Sequence, residues 1–166
     1  MKICALAAAA LTLASFTAFA QTNAAKKSSV GTWKLDVAKS TFGSEPAPKA
    51  VTLIILKDTP ELASWRVDIV DEKSQSMSYS WSGPQDGSMH PVKDAKGQSV
   101  GQESLKQEKD GALLRHGVGD NDGSSFDARS TLSADGNTIT DVITSKTKDG
   151  KTSKATNIYQ RVAAAK

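Results

Sequence analysis

Two histidines are the residues in this sequence best suited to move protons. His90 and His116 are its only histidines, and an imidazole beside a carboxylate is a common acid–base unit of enzymes. Asp120 and Asp122 follow His116 in the chain, so a hydrolase or isomerase built on these groups is one hypothesis. Neither histidine has a second histidine two or four residues away, the spacing that presets a metal site. A packed or half-exposed histidine is the favoured interpretation of both.

A serine lies in a nucleophile-like motif at residues 97–101. This run reads G-Q-S-V-G and matches G-x-S-x-G, which activates its serine only at a turn from a parallel strand to a helix. The surrounding sequence shows no alternation of strands and helices, so we interpret the run as a loop that leads into a strand. Residues 119–123 offer oxygen ligands without the spacing of a calcium loop. The sequence therefore predicts no enzyme, no metal and no cofactor.

Large aromatic side chains are better candidates for a site. The chain has three tryptophans and two tyrosines, and several of them occupy alternate positions in predicted strands. In a small barrel such side chains either fill the interior or line a cavity with a few polar groups. Filling the interior is the commoner role of large apolar residues. For a hollow interior, the predicted ligand contacts are Trp33, Trp65, Tyr79, Trp81 and His116.

The spacing of turns predicts the scaffold that positions these residues. Asp-Gly pairs favour tight hairpins, because aspartate tolerates a left-handed backbone and glycine accepts a positive φ freely. They begin at Asp86, Asp110, Asp122, Asp135 and Asp149. The last four are 12, 13 and 14 residues apart, which leaves room for strands of roughly 8–10 residues. The second half of the chain is therefore predicted to be a simple meander.

Between the turns, side chains alternate with the period of two that is typical of half-buried strands. Residues 77–82 alternate large with small side chains, and Trp65, Val67 and Ile69 share one face. Further strands are predicted at 31–37, 99–109, 112–118, 137–147 and 153–162. A large sheet with few helices to cover it must close or fold on itself. The predicted fold is all-β, an antiparallel up-and-down barrel or clam of about eight to ten strands.

The first twenty residues predict a cleavable secretory signal peptide. Lys2 precedes an apolar run over residues 3–14, and Ala18-Phe19-Ala20 forms a small-x-small cleavage site. The run is too short and too interrupted for a membrane anchor. The only cysteine, Cys4, leaves with the signal, which excludes disulfides and thiol chemistry from the mature chain. A periplasmic or secreted location follows.

The remaining chain is predicted to form one domain. Residues 21–29 are a polar leader, and residues 30–163 form a single barrel. Loss of Lys2 reduces the 21 basic residues to 20, against 18 acidic residues, and the two signs are interspersed. Nucleic acid, which requires a clustered basic surface, is not predicted as a partner. No segment after the signal is apolar enough to cross a membrane, and the oligomeric state stays open.

The start of the domain resembles that of the lipocalins. Gly31-Thr32-Trp33 matches the G-x-W with which lipocalins open, and the resemblance implies that Arg161 in the last strand packs over that tryptophan. The stretch 31–42 and the closing stretch 132–140 are also similar to exported bacterial proteins of unknown function that look lipocalin-like. The resemblance implies a lipocalin-like barrel that binds a small hydrophobic molecule.

Two functions follow from these observations. The first is an exported lipocalin-like protein that binds a small apolar or amphipathic ligand. The alternative is a structural or interaction protein of the cell envelope, with a filled barrel core and no enzymatic activity. A hollow interior favours the first function, and a filled interior favours the second.

Overall fold

The computed structural model describes residues 27–163, so the predicted signal peptide (1–20) and most of the polar leader (21–29) lie outside the described residues. Within this range the chain forms ten strands and no helix. The strands are β1 (Gly31–Leu35), β2 (Ala50–Asp58), β3 (Ala63–Val70), β4 (Ser76–Gly83), β5 (Asp86–Asp94), β6 (Ser99–Gln107), β7 (Leu113–Gly119), β8 (Ser125–Leu132), β9 (Thr138–Lys146) and β10 (Thr152–Arg161). In the described residues no helix is long and apolar enough to cross a membrane.

The ten strands close into one antiparallel barrel. Each strand pairs with its neighbour in sequence, and β1 pairs with β10 to complete the ring. At this closure Trp33 is aligned with Arg161 and Leu35 with Tyr159. Closure gives every strand a partner on both sides, so no strand is a free edge of the kind that antiparallel sheets otherwise have to protect. The up-and-down barrel predicted from the turn spacing is confirmed.

Four of the five Asp-Gly pairs form hairpin turns between β6 and β10. In the turn after β6, the Asp110 carboxylate accepts a hydrogen bond from the backbone N–H of Ala112 at 3.0 Å. Gly111 has a φ of 86°, a left-handed conformation that glycine adopts without strain from a Cβ atom. The fifth pair differs from the prediction. Asp86 and Gly87 lie inside β5, where the register with β6 shifts.

Strand register places the predicted apolar faces of β3 and β4 on the same side of the sheet. Trp65 is opposite Trp81, and Val67 is opposite Tyr79. Both rows face the interior, as the alternation predicts. In β2 the interior face carries Val51, Leu53 and Ile55, whereas Leu56 is 59% exposed. The apolar run of β2 therefore has one covered face along most of its length.

One end of the barrel is filled by Trp33, which is fully buried and packs with Val51, Ile139 and Tyr159. Its indole N–H donates to the backbone oxygen of Ser29 at 2.9 Å. The Arg161 guanidinium lies 4.1 Å from the centre of the Trp33 ring, so the arginine–tryptophan packing implied by the resemblance is confirmed. A contact of this kind contributes about 0.5–2 kcal/mol.

The junction of β4 and β5, the β4–β5 seam, has the least backbone pairing in the barrel. Only two residue pairs, Tyr79 with Asp94 and Ser80 with Lys93, join these strands. The longest junction, between β9 and β10, has nine. On the sides that β4 and β5 turn toward each other, backbone groups beyond the two pairs therefore have no ladder partner, although β4 is also paired with β3 and β5 with β6.

Candidate functional site

The barrel interior contains a cavity of about 490 Å³, within the range of about 300–1,000 Å³ that is usual for small-molecule sites. Most of its wall is apolar. On β2 and β3 the lining residues are alternate, inward-facing positions, because side chains of a strand point to opposite faces in turn. The apolar side chains of the wall include Leu35, Val51, Leu53, Ile55, Trp65, Val67, Ile69, Leu105, Leu113, Phe126, Leu132, Ile139 and Ile143.

The loop between β1 and β2 also contributes to the wall. Phe42, Glu45, Pro46 and Pro48 line the cavity. The two prolines fix φ and favour an extended chain, as the sequence predicts for residues 43–48. The loop is held to β10 by the bridge between Thr41 and Thr156. It therefore forms part of the cavity wall as well as a connection.

A charged cluster of three side chains also lies in the barrel interior. The Arg115 guanidinium donates to both carboxylate oxygens of Glu103, at 2.7 and 3.3 Å, and to Asp141 Oδ2 at 3.3 Å. Glu103 and Asp141 are 2% and 3% exposed. The guanidinium also lies 5.8 Å from the ring centre of Trp65 and 5.5 Å from that of Phe126. Three strands, β6, β7 and β9, bring these charges together.

Burial and charge act in opposite directions on Arg115. Burial by itself lowers the pKa of a guanidinium, but the negative charges of Glu103 and Asp141 outweigh burial and hold the pKa of Arg115 above its ordinary value. The side chain therefore stays a cation inside the barrel. Two carboxylates and one guanidinium leave the cluster with a formal excess of negative charge.

Tyr159 adjoins this cluster at the filled end of the cavity. Burial raises the pKa of its phenol above the ordinary value of 10.0, and the nearby Asp141 carboxylate raises it further. The nearby Arg115 guanidinium and Asn157 side chain act in the opposite direction without cancelling the rise in the pKa of Tyr159. Tyr159 is therefore a neutral hydroxyl under ordinary conditions.

Three polar atoms on lining residues are buried with no hydrogen-bond partner among residues 27–163. They are the indole nitrogen of Trp65, Oδ1 of Asp141 and Oδ1 of Asn157. Buried polar atoms in folded proteins nearly always have a partner, and each exception needs an explanation. Here the exceptions occur in one apolar cavity, two of them as acceptors and one as a donor.

Of the five residues predicted from the sequence as ligand contacts, only Trp65 lies in the cavity wall. Trp33 fills the end of the barrel, and Trp81 packs against Ala63 and Leu105. Trp81 also donates its indole N–H to the backbone oxygen of Glu103 at 2.8 Å. Both tryptophans thus face inward but belong to packed layers of the core, where no cavity adjoins them.

Tyr79 and His116 also lie outside the wall, for different reasons. Tyr79 faces inward by register and its hydroxyl lies 3.5 Å from Met77 Sδ, but neither residue is among those that line the cavity. His116 is on the outer face, with its side chain 46% exposed and its Nδ1 2.8 Å from Asp127 Oδ1. The inward positions of β7 belong to Arg115 and its alternate neighbours, so the predicted inward orientation of His116 does not match the structure.

The enzyme hypotheses from the sequence find different neighbours in the structure. His116 meets Asp127 on the outer surface and not Asp120 or Asp122 in a cavity. Ser99 begins β6 of an antiparallel barrel and donates its hydroxyl to Asp120 Oδ2 at 2.6 Å. A nucleophile elbow requires a parallel strand followed by a helix, and residues 97–101 instead connect two antiparallel strands. Among the described residues, no group of three or more histidine, cysteine or acidic side chains is placed to hold a metal.

Sequence reasoning missed the charged cluster. Arg115, Glu103 and Asp141 are each flanked by ordinary alternating residues, and nothing local marks them as buried. Gly117 carries the usable signal, because a Cβ atom there would lie 2.2 Å from the Phe126 ring. A glycine in a strand interior indicates close approach of another group. Gly117 therefore indicates that the face of β7 that it shares with Arg115 is the crowded face.

Comparison with known proteins finds a likeness of fold. No protein-family model and no curated protein matches the chain. Among solved structures, zebrafish ileal bile acid-binding protein complexed with cholic acid aligns with 81% of this chain and 100% of that chain, at a TM-score of 0.51 and 11% sequence identity. The likeness confirms the predicted fold class, an all-β antiparallel barrel.

Proposed function

We propose that this protein is an exported binding protein that holds a small apolar or amphipathic molecule inside its barrel. The observation that carries the proposal is the cavity of about 490 Å³ with a mainly apolar wall. A cavity of this kind keeps apolar surface away from water, at roughly 25 cal/mol for each Å² of ligand surface buried. The filled core of an envelope interaction protein would offer no such space.

The solved neighbour, a barrel complexed with cholic acid, supports the binding of a small molecule by a barrel of this fold. Export is part of the proposal and is supported by the signal-like pattern of residues 1–20.

Trp65 is the proposed aromatic contact, since it combines a wide apolar face with an indole N–H that has no partner. We expect Trp65→Ala to weaken binding of an apolar ligand by about tenfold or more, as for a buried aromatic anchor. Isothermal titration calorimetry with ten-carbon alcohols measures the change. Leu56→Ala is the matched control, because Leu56 is 59% exposed and should leave affinity unchanged. Equal affinity of folded Trp65→Ala and wild type would remove Trp65 from the site.

A further inference from the structure

The charge balance of the cavity carries information about the ligand that it fits. Glu103 and Asp141 contribute two formal negative charges to the cluster, and Arg115 contributes one positive charge. Elsewhere on the wall, Asp58 adds a carboxylate that is partly buried, whereas Glu45 and Lys57 are exposed to solvent. The interior is therefore net negative.

Arg115 already donates three hydrogen bonds to protein carboxylates. A ligand carboxylate would have to compete with Glu103 and Asp141 for the same guanidinium. It would also bring a third negative charge close to two others in a region of low dielectric, where repulsion between like charges is stronger than in water. The geometry thus disfavours an anionic head group at this point.

The unpartnered atoms indicate what the cavity does accept. Asp141 is 3% exposed and has one oxygen engaged by Arg115, while its Oδ1 has no partner among the described residues. The side-chain oxygen of Asn157 on the neighbouring strand is also unpartnered, and the two residues are directly aligned in the β9–β10 register. Two adjacent acceptors on one cavity wall call for a donor.

We infer that the ligand presents an uncharged or cationic hydrogen-bond donor, a hydroxyl or an ammonium group, to Asp141 and Asn157, and that the cavity discriminates against carboxylates. The inference rests on the proposed binding function and specifies its ligand class. It assigns Asp141 two roles, as an ion-pair partner of Arg115 and as the acceptor for the ligand head.

Three molecules with the same ten-carbon chain test the inference. Decan-1-ol, decylammonium and decanoate differ only in the head group, and at about pH 7.5 the amine is protonated and the acid ionised. Isothermal titration calorimetry of the purified full chain gives the three dissociation constants. The alcohol and the ammonium are expected to bind at least about tenfold more tightly than decanoate.

Asp141→Asn locates the source of the preference. The change keeps the shape of the side chain and removes one negative charge, so the ratio of ammonium to carboxylate affinity is expected to fall at least about tenfold. Asp127→Asn is the matched control, because Asp127 lies on the outer face with a side chain 78% exposed. The control should keep the wild-type ratio. The comparison of head groups on the wild-type protein needs no variant, so it stands even if Asp141→Asn does not fold.

The possible outcomes distinguish failure of the head-group inference from failure of the proposed binding function. Decanoate binding as tightly as the other two would overturn the head-group inference and leave a binding barrel. An unchanged ratio in folded Asp141→Asn would overturn the assignment to Asp141. Absence of binding by all three molecules to the folded protein would overturn the proposed function, and the inference with it.

Discussion

Arg115 holds two buried carboxylates inside the barrel, and both would be left without a cation if it were removed. Its contacts with Glu103 and Asp141 span three strands. Removing one partner of a buried ion pair is costly because the remaining charge stays desolvated. The guanidinium also packs between Trp65 and Phe126, so its stem and plane contribute apolar contact as well as charge.

We expect Arg115→Met to lower the free energy of unfolding by about 3–5 kcal/mol, the usual consequence of an uncompensated buried charge. Urea denaturation followed by tryptophan fluorescence measures the change. Arg129→Met is the matched control, since Arg129 pairs with Asp110 on the surface, where their side chains are 46% and 61% exposed. Arg129→Met should lower the free energy of unfolding by only about 0–1 kcal/mol. Similar losses in the two variants would contradict the account of the interior cluster.

Tyr159 predicts a dependence of stability on alkaline pH. Its pKa in the folded protein is raised above the ordinary 10.0 by burial and by Asp141, so above about pH 10 the unfolded chain releases a proton that the folded chain keeps. Stability contributed by the neutral phenol is complete below the unfolded pKa, and it is lost as pH rises toward the higher folded pKa.

The test is urea denaturation of wild type and Tyr159→Phe between about pH 9 and 11. Tyr159→Phe should lose stability less steeply with rising pH than wild type does. Tyr79→Phe keeps the Tyr159 phenol and is therefore expected to keep the wild-type slope. The same slope in all three proteins would show that Tyr159 does not retain its proton on folding.

At the scale of strands, the β4–β5 seam is the part of the barrel with the least backbone pairing. Two residue pairs join β4 and β5, whereas nine join β9 and β10. Local opening of a protein favours segments with few backbone hydrogen bonds and few buried contacts. Local opening of the barrel wall is therefore expected first at this seam.

Native-state hydrogen exchange tests this description of the seam. Amides by which β4 and β5 face each other outside the two pairs should exchange faster than amides along the β9–β10 junction, because they have no ladder bond to break. Mass spectrometry of proteolytic fragments after exchange gives the comparison strand by strand. Equal protection of the amides at the two junctions would mean that the number of register pairs does not determine how easily the barrel wall opens.

The strand positions could be predicted from the sequence because turns and alternation are local signals. The Asp-Gly pairs at 110, 122, 135 and 149 place four turns directly, and the alternation of residues 65–69 gives the correct inner face of β3. The pair at Asp86 is an exception, since a bulge in β5 uses the same flexibility of glycine that a turn does.

The inner face of β7 could not be predicted in the same way. Leu114 and Val118 make the face of His116 look apolar, yet both are 37% exposed. The buried face instead carries Arg115 and Gly117. Arg115 is stable there only because Glu103 and Asp141, which lie 12 and 26 residues away in sequence, meet it in the closed barrel. Long-range partners of this kind leave no mark on the periodicity of a single strand.

For the molecule as a whole, ring closure encloses an apolar cavity between two packed regions. Trp33 and its neighbours fill one region, and Trp81 with Ala63 and Leu105 fills the other. The three tryptophans, two in these packed regions and Trp65 in the cavity wall, all lie in strands that the sequence predicts. Composition and alternation identify all three as interior residues, but which layer stays open depends on how ten strands close together. The charged cluster then gives this open layer a polar side.

The cavity is proposed to hold a small molecule, and a substitution that blocks the cavity tests this proposal. Val67 lies in the wall at the middle of β3, so Val67→Trp should fill the space without adding a charge. Val142→Trp makes the same substitution on the outer face, where Val142 is 53% exposed, and controls for the added ring.

The measurement is native mass spectrometry of the three proteins, purified gently from cells that produce them and then incubated with an excess of decan-1-ol. We expect an added ligand mass on wild type and on Val142→Trp that is lost on denaturation, and no added mass on folded Val67→Trp. Equal ligand mass on folded Val67→Trp and Val142→Trp, or none on any of the three, would contradict the claim that the barrel interior is the binding site.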